Sequence, residues 1–264
     1  MPGHERFVHN MLAGVSGIDV VMLMVAADEG VMPQTREHVA ILDLLGVRQG
    51  IVVITKADKV DQDLVGLVRQ EIEQLVEETT LAGSPVVVTS AMTGQGLDEL
   101  VAVLQRIAES VRPRDIQGPL RVPIDRSFTI AGYGTVVTGS LIRGRIRVGE
   151  EVEIVPDGLR ARVRRIEVHG EPLDTVAAPA RVGVNLADIS REQVRRGHQL
   201  IEPGSLRSTM RLDVYLRLIP DAPRPLKQRA QVRLHIGTDE LNARVVLLDG
   251  RPALEPGEST FAQM

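Results

Sequence analysis

Apolar and polar positions alternate in two different ways along the chain, and the change divides it into an N-terminal and a C-terminal part. In residues 1–112, apolar runs of the length typical of strands buried on both faces alternate with amphipathic segments. The apolar runs are Ile18–Ala27, Gly50–Ile54 and Pro85–Thr89. The amphipathic segments repeat at the helical period, and they run from Pro33 to Gly46, from Asp61 to Val76 and from Leu97 to Ile107. This strand–helix repetition predicts a parallel sheet covered by helices.

The helical period ends at the segment Val111–Pro119, which contains two prolines, several charges and no periodicity. Beyond it, β-type runs separated by glycine-containing turns predict a small barrel or sandwich. These runs are Leu120–Ile130, Thr135–Leu141, Glu151–Val155, Ala161–Val168 and Arg181–Leu186. A second break at Glu202–Ser205 precedes three further strand-like runs, Met210–Leu218, Gln231–Ile236 and Asn242–Leu248. We therefore expect an α/β domain over 1–114, a β-barrel over 118–203 and a partial β-barrel over 205–264.

Composition excludes several kinds of function. The chain has no cysteine, which removes disulfides, thiolate metal ligands and cysteine nucleophiles. Aromatic residues make up 2%, too few for reading single-stranded nucleic acid by base stacking. Residues 1–117 carry 9 Lys and Arg against 17 Asp and Glu, whereas residues 118–203 carry 13 Arg against 11 Asp and Glu. Contacts with phosphate groups are therefore favoured only in the later part of the chain. No apolar run is long enough to span a membrane and no signal peptide is evident, so we expect a cytoplasmic protein.

Two successive predicted strands are followed by residues suited to binding guanine. The run Thr55–Asp58 comes directly after the second strand, and Ser90 and Ala91 follow the third. In α/β sheets, ligands bind beyond the carboxyl ends of the strands. One carboxylate, that of Asp58, could accept both N1–H and the N2 amino group of guanine, while the stem of Lys56 lies along the base. A small residue such as Ala91 would let a backbone N–H approach the O6 acceptor.

The start of the chain suggests a third part of a nucleotide site. Gly3 could donate its N–H to a γ-phosphate, and His4 could orient an attacking water. A solvated histidine is the simpler alternative for His4. We identify no metal-ligating residues by spacing.

In combination, these motifs resemble those of the translational GTPases, and among them the selenocysteine-specific elongation factors more than elongation factor Tu itself. Pro2–Phe7 resembles the D-x-P-G-H-E-x-F switch motif, Thr55–Asp58 the N/T-K-x-D motif and Ser90-Ala91 the S-A motif. Ala26–His38 is similar to a segment found throughout these factors, and Asp125–Ile130 followed by Gly134–Gly139 is similar to their second-domain barrel. Glu29, Thr55 and Arg126 favour the selenocysteine-specific factors.

The resemblance implies a partial P-loop GTPase domain followed by β-barrel domains, with GTP or GDP and Mg²⁺ as cofactors. It implies delivery of selenocysteinyl-tRNA to the ribosome, with GTP hydrolysis in the complete protein. The messenger hairpin would be bound only by domains that this chain does not contain. Asp125, Arg126 and Arg181 are our candidates for the aminoacyl pocket, because a selenol is anionic at neutral pH and a cationic pocket would distinguish it from serine. Surface ion pairs are the alternative interpretation of both arginines.

The chain also departs from the family pattern. The phosphate-binding motif G-x-x-x-x-G-K-[ST] occurs nowhere in the 264 residues, and no Mg²⁺ ligand can be named. We therefore expect a chain incomplete at both ends, and we predict that by itself it does not turn over GTP at a useful rate. The alternatives are an elongation factor Tu-like factor for another aminoacyl-tRNA, a non-catalytic fragment that binds tRNA or protein, and a fragment without independent function.

Overall fold

The computed structural model describes residues 18–111 and 116–264. The chain divides into two compact units, Met1–Arg114 and Asp115–Met264. The second unit contains the predicted second and third domains, whose boundary near residue 204 stays a prediction.

The first unit contains a parallel three-stranded sheet in the order β1-β2-β3. Its strands are β1 Val21–Ala26, β2 Gly50–Thr55 and β3 Val86–Val88. Its helices are α1 Pro33–Leu44, α2 Gln62–Val76 and α3 Leu97–Ser110. Asp61 caps α2 by accepting a hydrogen bond of 2.8 Å from the Leu64 amide, as its position in the sequence predicts.

Helices cover both faces of this sheet. On one face, Leu42 of α1 and Ile72 of α2 are fully buried against alternate residues of β1 and β2. On the other face, Val103 and Ile107 of α3 pack against residues of β2 and β3. The central strand β2 is therefore buried on both sides, which explains its continuous apolar sequence.

The second unit begins with an antiparallel barrel. Its strands are β4 Arg121–Ile130, β5 Gly134–Leu141, β6 Arg145–Arg147, β7 Glu151–Val155, β8 Leu159–Val168, β9 Glu171–Leu173, β10 Thr175–Ala177, β11 Ala180–Ala187 and β12 Gln199–Ile201. Seven of them form one sheet in the order β11-β5-β4-β12-β7-β8-β9, and β11 also pairs with β8. That pairing closes the sheet into a barrel around an apolar core, so the predicted fold class is confirmed.

The remaining strands form three small antiparallel sheets, which we call the third module. They are β13 Asp213–Arg217, β14 Leu226–Lys227, β15 Gln231–Ile236, β16 Asp239–Arg244, β17 Val246–Leu247, β18 Ala253–Leu254 and β19 Ser259–Gln263. The predicted single strand Asn242–Leu248 is wrong, because the chain changes partners at Val245. Residues before it pair with β15, and residues after it pair with β19.

Candidate functional site

The predicted guanine-binding residues lie in two neighbouring loops at the carboxyl edge of the parallel sheet. β2 ends at Thr55, and a single turn of 3-10 helix, Ala57–Lys59, follows it. Lys56, between them, has a φ of 57°, a left-handed conformation that is uncommon for residues with a side chain. The backbone therefore turns sharply as it leaves the strand.

The structure brings Asp58 and Ser90 together. The fully buried Ser90 hydroxyl donates a hydrogen bond of 2.5 Å to Oδ1 of Asp58. The loops are also joined through their backbones, because the Ala57 amide donates to the Thr89 carbonyl at 3.2 Å. Ala91 follows Ser90 and is exposed. The Asp58 carboxylate therefore lies beside the end of β3, as the predicted guanine site requires. The nucleotide-binding roles of these residues remain predictions.

The ammonium of Lys56 has partners that the sequence did not indicate. It lies 2.8 Å from Oε1 of Glu29 and 3.0 Å from Oδ1 of Asp28, both in the loop after β1. The hydrogen bonds with Glu29 and Asp28 raise the pKa of Lys56 above its ordinary value. The bond from Lys56 in turn lowers the pKa of Asp28. These pairs join the loops after β1 and β2, so three successive strand ends form one polar surface.

A cavity of about 560 Å³ opens beside these loops, with Ala57, Val88 and Gln95 among its lining residues. Asp61 also lines it, but its carboxylate is used in capping α2. Asp58 is not among the lining residues.

In the barrel, the structure pairs two of the three candidate residues for the aminoacyl pocket. Nη1 and Nη2 of Arg181 donate to the two carboxylate oxygens of Asp125 at 2.5 and 3.2 Å. The Thr138 hydroxyl also donates to Asp125, at 2.7 Å. The hydrogen bond with Asp125 raises the pKa of Arg181. Asp125 lies at a bulge, since the β4–β5 register shifts between Ile124 and Arg126, and bulges re-aim side chains.

Arg126, the third candidate, is exposed and differs from Arg181 in its contacts. Across the described parts of the chain, no side chain forms an ion pair or hydrogen bond with its guanidinium. Arg181 is thus held in a fixed orientation by a carboxylate, whereas the neighbouring Arg126 supplies an uncompensated positive charge.

Beside this pair lies a cavity of about 180 Å³, which we call the barrel cavity and which the sequence did not reveal. Its lining residues are Ile130, Tyr133, Val136, Arg165, Glu167, Gly183 and Asn185. The Arg165 guanidinium lies 5.5 Å from the centre of the Tyr133 ring and 2.8 Å from Glu167. The one feature of the sequence that could have pointed to this cavity is Tyr133, because the chain has few aromatic residues. In the structure this side chain is half-exposed.

Strand register places the barrel cavity next to the Asp125–Arg181 pair. Gly183 of the cavity is opposite Thr138, whose hydroxyl bonds to Asp125. Arg181 and Gly183 are two residues apart on β11 and so point to the same face. The barrel therefore presents an apolar cavity with a fixed guanidinium at its side.

The predicted catalytic residue His4 and the predicted phosphate sensor Gly3 lie outside the described residues. Within residues 18–111 and 116–264, no group of three or more His, Cys, Asp or Glu side chains is placed to hold a metal ion. In the same residues, none of the helices has the length and apolar character needed to cross a membrane.

The sequence matches two family models, in the order of the two architectures just described. The Elongation factor Tu GTP binding domain matches residues 1–110, and Elongation factor Tu domain 2 matches residues 134–201. Together these matches account for more than half of the 264 residues. The chain therefore belongs to the elongation factor Tu family of GTP-binding translation factors.

Within that family, its similarity extends over the whole chain to selenocysteine-specific elongation factors. The factor from Desulfomicrobium baculatum is 44% identical over 100% of this chain and 42% of its own length. The factor from Escherichia coli (strain K12) is 37% identical over 94% of this chain and 40% of its own length. The chain thus spans about 40% of the length of these curated relatives.

Solved structures agree with the sequence relatives. The crystal structure of bacterial selenocysteine-specific elongation factor EF-Sec superposes with a TM-score of 0.83 at 30% identity, covering 100% of this chain and 42% of that one. Translation elongation factor SelB from Methanococcus maripaludis, in its apo form, gives a TM-score of 0.87 at 26% identity, covering 100% of this chain and 60% of that one.

Proposed function

We propose that this chain is the part of a selenocysteine-specific elongation factor that binds guanine nucleotide and holds the aminoacyl end of selenocysteinyl-tRNA for delivery to the ribosome. The proposed place of action is the cytoplasm, where ribosomes work. The observation that carries the proposal is the bidentate Asp125–Arg181 pair beside the barrel cavity. The names of the relatives given above support the choice of amino acid.

The Asp125–Arg181 pair suits an anionic side chain. A guanidinium has five N–H donors in a planar fork, and Asp125 engages two of its nitrogens, which leaves donors for a ligand. Arg126, next to Asp125 in the sequence, adds a positive charge that pairs with no side chain of the described residues. A selenolate gains from both features, whereas the neutral hydroxyl of serine does not. One charge-assisted hydrogen bond contributes about 1.5–3 kcal/mol, which corresponds to a discrimination of about 10- to 150-fold.

The barrel cavity suits a planar base at the end of the tRNA. Ile130 and Val136 give it apolar walls, and Tyr133 gives it an aromatic one. The Arg165–Glu167 pair provides a donor and an acceptor beside these walls. A nucleobase placed there would lie next to the guanidinium of Arg181, where the attached amino acid would be read.

Guanine recognition is proposed for the edge of the parallel sheet. The Asp58 carboxylate, held by Ser90, would accept the two adjacent donors of guanine, which adenine lacks. The acceptor that Asp58 supplies therefore fits the base of GTP or GDP. GTP hydrolysis in the complete protein, with Gly3 contacting the γ-phosphate, His4 orienting the water and Mg²⁺ bound, is the remaining part of the proposal.

The experiment is a comparison of one tRNA charged either with selenocysteine or with serine. Binding of each to the purified chain would be measured with GTP present, in wild type and in Arg181→Ala. Arg160→Ala is the matched control, because Arg160 also pairs with a carboxylate on the barrel, at 2.7 Å from Glu151. We expect a preference of at least about 10-fold for the selenocysteinyl form, lost only in Arg181→Ala.

Two other outcomes would overturn this proposal. Equal affinity of wild type for both charged forms would favour a factor for another aminoacyl-tRNA. Strongly salt-dependent binding of tRNA that ignores both the amino acid and the nucleotide would favour a non-catalytic binding fragment.

A further inference from the structure

One of the two residues at the tip of the β15–β16 hairpin is buried, although hairpin tips normally lie at the surface. The two-residue turn consists of Gly237, with a φ of 59°, and Thr238, which is only 7% exposed. Both flanking strands are largely exposed. The hairpin is therefore an arm of the third module whose tip packs against the barrel at Ile124 and Gly197.

Thr238 is bonded to two separate barrel segments. Its hydroxyl donates to the Ile124 carbonyl at 2.6 Å and accepts from the Gly197 amide at 3.2 Å. Its carbonyl accepts from Nε of Arg196 at 3.0 Å. The contact is tight, since a Cβ on Gly197 would lie 2.6 Å from the carboxylate of Asp239 in the hairpin. The hydroxyl thus bridges β4 and the segment that leads into β12.

The Ile124 carbonyl belongs to the backbone that aims Asp125. Ile124 donates its amide to the His198 carbonyl at 2.8 Å, and its own carbonyl also accepts from Gly197 at 3.1 Å. The next residue, Asp125, sits at the bulge and holds Arg181. The orientation of a bulged residue depends on how the backbone on each side of it is fixed. Thr238 fixes one of those sides.

We propose that Thr238 is a positioning residue for the Asp125–Arg181 pair. Together with the Gly197 amide, the Thr238 hydroxyl of the third module thereby fixes the Ile124 carbonyl and contributes to the geometry of the barrel pair. The alternative is that Thr238 only attaches the hairpin to the barrel. What the pair recognises rests on the proposed function above, whereas the effect of Thr238 on the pair does not.

The first test follows the Arg181 guanidinium directly, by its ¹⁵N–¹H resonances in the labelled full chain, assigned with Arg181→Lys. Thr238→Val removes the hydroxyl and keeps the shape, and Thr238→Ser restores the hydroxyl. Thr260→Val is the matched control, since Thr260 is equally buried in the third module but donates to Asp249, at 2.7 Å. We expect shifted or exchange-broadened Arg181 signals in Thr238→Val alone. A folded Thr238→Val whose Arg181 signals match those of wild type overturns the proposal.

The second test measures the preference for selenocysteinyl- over seryl-tRNA. We expect Thr238→Val to reduce it at least fivefold, with Thr238→Ser and Thr260→Val unchanged. An intact preference in Thr238→Val also contradicts the proposal. If wild type shows no preference, the proposed function fails while the Arg181 signals still decide the role of Thr238. Should Thr238→Val not fold, Thr238→Ala is measured in the same two ways and judged by the same results.

Discussion

A substitution of Gly139 tests how closely β4 and β5 pack beside the bulge at Asp125. Gly139 lies on β5 opposite Ile124, and a Cβ added there would lie 2.3 Å from the Pro123 carbonyl oxygen and 2.8 Å from a methyl carbon of Val122. Pro123 cannot easily retreat, because it is paired on its other side with Gln199 of β12. Gly139→Ala must therefore separate two strands of a closed barrel. Overpacking of this kind costs about 1–3 kcal/mol, and a backbone obstacle places the expected loss near 3 kcal/mol.

Gly183→Ala is the matched control for this substitution. Gly183 lies on the adjacent strand β11, opposite Thr138, and the nearest atom to an added Cβ is 3.9 Å away, which is an ordinary contact. Removing a glycine from the unfolded chain stabilises by about 0.4–1 kcal/mol, so this variant should match or exceed wild type. The second unit spans Asp115–Met264. In a unit of that size, a loss of about 3 kcal/mol in the free energy of unfolding lowers the Tm by about 6–12 °C.

Urea and thermal unfolding, followed by circular dichroism, measure both variants. If Gly139→Ala unfolds within about 0.5 kcal/mol of wild type, β4 and β5 do not approach as closely as described. Equal destabilisation by the two substitutions would also contradict the reasoning, because it would show that the loss of glycine and not the contact with Pro123 is responsible.

Two further predictions concern the sheet edge and a buried histidine. Asp58→Asn should lose two charge-assisted hydrogen bonds to guanine, weakening GDP at least about 100-fold while favouring xanthosine diphosphate, which has a carbonyl in place of the amino group. Fluorescence titration with both nucleotides measures this, and an unchanged preference for GDP would rule out base recognition by Asp58. His198 is 2% exposed, and burial lowers its pKa from the ordinary 6.5. The contribution of the neutral His198 side chain to the free energy of unfolding is therefore complete above about pH 6.5. It is lost as the pH falls, because the unfolded state binds the proton more readily. Urea midpoints at neutral and acidic pH should differ less in His198→Gln than in wild type, and an identical difference would show that His198 does not titrate on unfolding.

Much of the secondary structure could be predicted from the sequence. The strand after Gln49, the helix capped by Asp61 and the strand Gln231–Ile236 follow their patterns closely. Short strands such as Gln199–Ile201 were not predicted, since three residues are too few to show a period. The split at Val245 was also missed, because a change of partner leaves no mark in a continuous apolar run.

The sequence predicts the individual residues of the candidate site but not all of their contacts. Motif spacing pointed to Asp58 and Ser90, and the structure places them in contact. Nothing local indicated that Lys56 is paired with Asp28 and Glu29, because residues on neighbouring strands meet only once the sheet has formed.

From the amino-acid sequence follow the longer strands and the helices, the order of the two architectures and the motifs at the strand ends. These are local properties, set by the period of apolar positions and by turn and capping residues. Which distant side chains meet depends on how the folded chain packs. Asp125 reaches Arg181 across 56 positions, and Ile124 reaches Thr238 across 114. Such contacts depend on strand register, barrel closure and the docking of the third module, which are set by the packing of the whole unit and not by any one segment.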